Sequence, residues 1–168
     1  FDEGNHAFLN KNKKMSYFFN QHFPPKKVSI TKNFREFLSN KKENDKYYYR
    51  ENNYNYKDIN AALTEKYQIG QWRRVYLRIN KSNLCPTLTA NMGTGGHNVP
   101  LIRDNFGIRK LTPRECFNLQ GFDQSFKLPK NVSDYQLYKQ AGNSVTIPIV
   151  LKILFISSLS ILVIFYCP

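Results

Sequence analysis

Arg109-Lys110-Leu111-Thr112-Pro113-Arg114-Glu115-Cys116 runs into Phe117-Asn118-Leu119-Gln120-Gly121-Phe122, and this stretch carries the clearest local structural signal in the chain. The Thr112 hydroxyl can accept from an early helical amide, and Glu115 can reach back to the amide of Thr112. Pro113 has the φ of a first helical residue and lacks an amide hydrogen that would go unpaired there. Together they predict a helix from Pro113 to about Gln120, stopped at Gly121. Cys116 and Leu119, with Phe122 beyond, should face the core, Cys116 as a small buried hydrophobe.

Downstream, a loop around Pro129 leads to a predicted short helical turn over Tyr135 to Gln140. Gly142-Asn143-Ser144 reads as a tight polar turn. From Gln140 onward Lys152 is the only charged residue. Ile147 to Cys167 is about the length needed to span a bilayer as a helix. The run after Ile156 loses amphipathic pattern, which leaves a frameshifted tail, a buried helix or an anchor open.

Upstream, Pro86-Thr87-Leu88-Thr89-Ala90-Asn91-Met92-Gly93-Thr94-Gly95-Gly96 ends in a glycine loop. Such a loop allows close backbone approach, but no Gly-Lys-Ser/Thr follows, so it is not a P-loop. Before it, Gly70 punctuates a basic loop, Gln71-Trp72-Arg73-Arg74, that feeds a strand in which Val75, Leu77 and Ile79 alternate with Tyr76 and Arg78. That strand is expected to pair with Thr87-Leu88-Thr89. Phe34, Phe37 and Leu38 predict a short amphipathic helix from Thr31 to about Lys41. Ile59, Ala62 and Leu63 predict another over residues 57–67. Residues 1–27 are polar, with a basic run at Lys11, Lys13 and Lys14 and a break at Pro24-Pro25. Lys41 to Tyr56 is a Lys/Asn/Tyr-rich stretch, read either as a half-buried surface or as a basic aromatic surface near nucleic acid.

The 168 residues carry 25 Lys and Arg against 12 Asp and Glu, a formal charge of +13. That balance favours a polyanionic partner, nucleic acid or an anionic membrane. The 3 cysteines, Cys85, Cys116 and Cys167, have neither paired nor metal-ligand spacing, which suits a reducing compartment and excludes an evident metal site. The chain begins at Phe1 with no signal segment, so it reads as a fragment or one product of a split reading frame.

Three blocks, Pro86 to Pro100, Arg109 to Phe122 and Lys139-Gln140-Ala141-Gly142-Asn143-Ser144-Val145, resemble in order and spacing the C-terminal part of the C5-cytosine DNA methyltransferases. The resemblance covers about Gly70 to Val150. It implies an α+β fold: a small, irregular β-rich target-recognition domain, followed by helices that complete the α/β S-adenosylmethionine-dependent domain. Residues 1–105 would then be the DNA-binding recognition region, 106–156 the end of the catalytic domain, and 157–168 an apolar tail, native or else frameshifted or aberrant.

The resemblance also implies roles. Gln71 would enter the duplex where the target cytosine has been flipped out, with Arg73 and Arg74 reading a guanine edge or clamping phosphate. Thr87 and Thr89 would bond phosphate, and Asn91, Gly93, Gly95 and Gly96 would approach base edges. Arg109 and Arg114 would orient the recognition region, although helix-flanking surface arginines are an equal reading of both. Asn143, Ser144 and Val145 would line the methionine side of an S-adenosylmethionine pocket. The family's nucleophilic Pro-Cys and its Glu-Asn-Val motif are both absent, since Cys85 and Cys167 precede prolines and Glu51 begins Glu-Asn-Asn. No catalytic residue is therefore expected in this chain, which would need a catalytic half, act on double-stranded DNA, and be inactive and aggregation-prone alone. A cytoplasmic, prokaryotic restriction–modification enzyme is the expected setting. A DNA-binding remnant and a small basic membrane-anchored protein are the other readings.

Overall fold

The computed structural model describes residues 33–80, 84–94 and 98–155. Gly95, Gly96, the basic run at Lys11 to Lys14, the Pro24-Pro25 break, Cys167 and the 157–168 tail lie outside them. The chain divides into two compact units, one of Phe1–Ile30 with Pro148–Pro168, the other Thr31–Ile147. In the first, residues 148–155 are helical, with Ile149, Leu151 and Phe155 exposed. No helix among the described residues is long and apolar enough to cross a membrane.

The second unit is built on a four-stranded antiparallel sheet in the order β2-β1-β3-β4, with β1 Ile69–Arg73, β2 Tyr76–Ile79, β3 Leu101–Arg103 and β4 Ile108–Lys110. Strand alternation sends neighbouring side chains to opposite faces. Ile69 and Ile102 join a core with Leu111, Cys116, Phe117, Leu137, Tyr138 and Ala141. On the other side Leu77, Leu101 and Ile108 pack with Ile59 and Leu63. The second set includes helix α1 (Tyr56–Ala62), whose end is tied to β3 by Arg103 donating to the carbonyls of Leu63 and Asn60. The first set brings in α2 (Pro113–Leu119) and α3 (Asp134–Asn143).

The α2 expectation holds in detail. Thr112 caps the amide of Glu115, and the Glu115 carboxylate returns to the amide of Thr112 at 2.8 Å. Gly121 then turns the chain at φ 89°. Cys116 is fully buried, as expected.

Four local expectations are corrected. The partner of β2 is β1, with Arg73 opposite Tyr76, rather than Thr87-Leu88-Thr89, which forms no strand. Gly70 lies inside β1, opposite Ile79 and Leu101, rather than punctuating a basic loop, and Gln71, Trp72 and Arg73 belong to the same strand. The helix expected from Thr31 is a single 3-10 turn, Phe34–Phe37, yet Phe34 and Leu38 are buried as the pattern requires. Gly142 and Asn143 do not form a turn; α3 continues through them, and Ser144 caps its end. The boundary expected at 105/106 falls in the turn between β3 and β4, and the core takes side chains from both sides of it.

Candidate functional site

The β1–β2 hairpin ends in an exposed basic tip, Arg73-Arg74-Val75-Tyr76. Two features hold its shape. Arg74 adopts φ 44°, a conformation unusual for a residue with a side chain, and the Trp72 indole donates to the Arg74 carbonyl at 3.3 Å. Val75 is 83% exposed and Tyr76 57%, so two apolar side chains stand in solvent beside two guanidinium groups. The strict alternation read from the sequence breaks at Val75, because it occupies the turn rather than the strand.

Gln71 lies on β1 and points inward. It is only 3% exposed, and its Nε2 donates to the Asn98 carbonyl at 2.7 Å, tethering the segment that follows the glycine loop. Its Oε1 has no partner among the described residues. Arg73 and Arg74 stand at the surface in this conformation; Gln71 does not.

Thr87 and Asn91 are exposed and Thr89 is half-buried. Gly93 ends the 3-10 turn Ala90–Gly93 and is buried; a Cβ there would stand 2.6 Å from the Tyr135 carbonyl oxygen of α3. From the opposite side, a Cβ on Gly142 would fall on the carbonyl of Thr89. The two glycines let the 89–93 segment and α3 meet backbone to backbone. Gly93 is thus occupied by packing in this structure.

A cleft of about 450 Å³ brings together Thr87 with Ser144 and Val145. Cys85, Gln120 and Thr146 complete its polar lining. Its residues include two of the expected cofactor contacts and one expected phosphate contact, but none from the hairpin tip. Exposed Val145, half-buried Ser144 and the hydroxyls of Thr87 and Thr146 fit one polar and apolar wall of a pocket for a small polar ligand, whereas Asn143 is exposed and does not line the cleft. Sequence reasoning missed Gln120, because the groups its amide reaches lie 21 to 26 residues away along the chain.

Cys85 is not poised as a nucleophile. Burial pushes its thiol up to about 12 from the ordinary 9, and burial holds the Cys116 thiol well above that value too. The thiolate is the reactive form. At pH 8 the Cys85 thiolate fraction should fall about a thousandfold below that of an exposed cysteine. Iodoacetamide followed by peptide mass spectrometry should leave Cys85 and Cys116 unmodified in the folded chain and label both in denaturant. Rapid labelling of Cys85 in the folded chain would contradict this.

Arg109, by contrast with a surface reading, is completely buried. Its Nε donates to Asp104 at 2.6 Å, while Nη1 and Nη2 grip both oxygens of Glu115 at 2.8 Å each. The carboxylates are themselves held. Glu115 accepts from the amides of Ser39 and Thr112, and Asp104 from the Tyr48 hydroxyl and the amides of Phe106 and Gly107. Desolvation alone would lower the Arg109 pKa, but the bonds and charges of Glu115 and Asp104 overcome it and hold the guanidinium above its ordinary range. Arg114 is half-buried and donates to the Phe126 carbonyl at 2.6 Å, tying down the loop after α2. No group of His, Cys, Asp and Glu among the described residues could hold a metal ion.

A crystal structure of the S. pombe Dnmt2 methyltransferase shares this fold, with a TM-score of 0.53 over 77% of this chain and 42% of that one, at 18% identity. The family described as C-5 cytosine-specific DNA methylase matches residues 6–155. The chain belongs to that family. It is 49% identical over 143 residues to the Type II methyltransferase M.Bsp6I of Bacillus sp. (strain RFL6), covering 84% of this chain and 45% of that protein. It is 60% identical over 42 residues to the Type II methyltransferase M.HpaII of Haemophilus parainfluenzae, covering 25% of this chain and 11% of that protein. The chain therefore spans less than half the length of these relatives.

Proposed function

We propose that this chain is the DNA-recognition part of a cytosine-5 DNA methyltransferase of a restriction–modification system, working in the cytoplasm with a catalytic half from the same gene or a separate subunit. Residues 1–105 carry recognition and 106–156 complete the catalytic domain. The observation that carries the reading is the exposed Arg73-Arg74 tip of the β1–β2 hairpin, in a chain of this family with a charge of +13. A narrow, two-stranded ribbon fits the major groove, where a guanidinium can donate to both acceptors on a guanine edge.

Thr87 and Thr89 contribute phosphate contacts, and Asn91 with the glycines at 93, 95 and 96 the approach to base edges. Gln71 reaches the duplex after leaving the Asn98 carbonyl. Asn143, Ser144 and Val145 form one wall of the S-adenosylmethionine pocket, and that cofactor supplies the methyl group. Arg109 and Arg114 fix the recognition region relative to α2, Arg109 from inside the core and Arg114 from its half-buried place on α2. The nucleophile and the glutamate that act on the cytosine come from the other half, so the chain by itself transfers no methyl group.

Fluorescence anisotropy with duplex DNA containing the cognate site tests this. Arg74→Ala should weaken binding about tenfold or more, as expected for loss of a good guanidinium–guanine contact. Loss of a phosphate contact at Arg73 should instead lower the slope of log K against log salt by about one. Binding that ignores salt and both substitutions would sink the recognition role. Methyl transfer should appear when a catalytic half bearing Pro-Cys and Glu-Asn-Val is added. Duplex binding that persists with no methyl transfer would leave a DNA-binding remnant.

A further inference from the structure

We propose that Gln120 is a positioning residue whose amide clasps the chain after α3, so that Ser144, Val145 and Thr146 wall the cleft in one fixed orientation. The inference rests on the reading that this segment faces the cofactor.

Gln120 sits at the C-terminal cap of α2 and is 8% exposed. Gly121, at φ 89°, turns the chain away directly after it, leaving the Gln120 side chain and carbonyl to face the end of α3. Its Nε2 donates to the Ala141 carbonyl at 3.1 Å and the Ser144 carbonyl at 3.5 Å. Its Oε1 accepts from the Thr146 hydroxyl at 2.7 Å, and its main-chain oxygen accepts from the Ile147 amide at 2.9 Å. The last carbonyls of a helix have no partner within it and must find one outside. Here Ala141 finds two, the Gln120 amide and the Ser144 hydroxyl at 2.7 Å.

The chemistry explains why an amide stands at this position. Donation to two carbonyls and acceptance from a hydroxyl by one planar group is within reach of glutamine; glutamate lacks the donor when ionised, and methionine lacks both functions. The residues so held are not in a helix or strand at 144–146, so backbone ladders do not fix them. Apart from the main-chain bonds of the Ser144 amide to Gln140 and of the Ile147 amide to Gln120, side-chain bonds do so.

Two variants separate this role from general stability. Gln120→Met keeps a side chain of similar length without its polar groups. Gln120→Glu keeps the acceptor for Thr146 and loses the donor. In the full chain, hydrogen–deuterium exchange at residues 143–147 should quicken about tenfold in Gln120→Met, the worth of about one lost hydrogen bond, with β1, β3 and β4 unchanged. Gln120→Glu should fall between it and the unsubstituted chain. In the assembled enzyme, Gln120→Met should raise KM for S-adenosylmethionine about tenfold and leave KM for DNA unchanged.

Unchanged exchange at 143–147, or exchange quickened equally across the whole sheet, would overturn the proposal. So would an active enzyme in which KM for DNA and for the cofactor rise together. An unsubstituted assembly that transfers no methyl group would remove the functional reading instead, and the exchange result would still decide the clasp.

Discussion

Arg109→Met is expected to lower the unfolding free energy of the chain by about 3–5 kcal/mol, because it leaves two buried carboxylates without their shared cation. Asp104 and Glu115 have side chains 6% and 2% exposed, so water cannot take the place of the guanidinium. Their remaining bonds, from Ser39, Thr112, Tyr48, Phe106 and Gly107, satisfy lone pairs but supply no positive charge. Small domains are stable by about 5–15 kcal/mol, so the loss is a large share of the whole. Urea unfolding followed by far-UV circular dichroism would show a lower midpoint at unchanged slope. Adding Glu115→Gln to Arg109→Met should recover part of the loss, since a neutral amide no longer demands a counter-charge. A single-variant loss under about 1 kcal/mol, the worth of an ordinary hydrogen bond, would refute the account. Arg109→Lys should remain substantially destabilised, because a single ammonium cannot reproduce a fork that meets Glu115 with two nitrogens and Asp104 with a third.

Gly142→Ala is the second large effect. Alanine is the better helix former by about 1 kcal/mol, so an isolated α3 would gain from the change. In the folded chain the new Cβ would land on the Thr89 carbonyl and the Ala90 amide nitrogen. Those are backbone atoms and cannot swing away like the end of a side chain. Overpacking of this kind costs about 1–3 kcal/mol and occasionally more, and separation of α3 from the 89–93 segment puts the effect at the upper end. We expect a net loss of about 2 kcal/mol in thermal or urea unfolding, opposite in sign to helix propensity. Asn143→Ala, at the exposed neighbouring position, should stay within about 0.5 kcal/mol of the unsubstituted chain. A stabilised Gly142→Ala chain would show that the close approach yields at little cost.

Both effects turn on residues that stand out in the sequence for other reasons. Arg109 and Gly142 lie in the blocks that resemble the methyltransferase family, and the family match confirms that resemblance. Yet neither reading of Arg109 placed it wholly inside the core, and Gly142 looked like part of a turn. The residues proposed for recognition divide the same way. Arg73 and Arg74 were legible as an exposed basic pair, because two adjacent guanidinium groups are costly to bury. That Gln71, two residues earlier, faces inward could not be read locally. Strand alternation fixes only that neighbours differ in face, and the partner that covers this face, Asn98, is 27 residues away.

Short-range chemistry was enough for α2. Its cap, its proline and its reciprocal carboxylate lie within four consecutive residues, and the structure forms the helix they specify. The hydrophobic spacing of Phe34, Leu38, Ile59 and Leu63 likewise announced which side chains would be buried, though not how long each helix would be. The β1–β3 pairing, the meeting of Gly93 and Gly142 with facing backbones, and the Gln120 clasp each depend on groups brought together across tens of residues. Such contacts are chosen by which surfaces the whole core can bury at once, and no window of sequence contains that competition. The Arg109 network shows the limit most plainly: its Glu115 is set by a local capping box, but the same carboxylate also receives the amide of Ser39, 76 residues earlier.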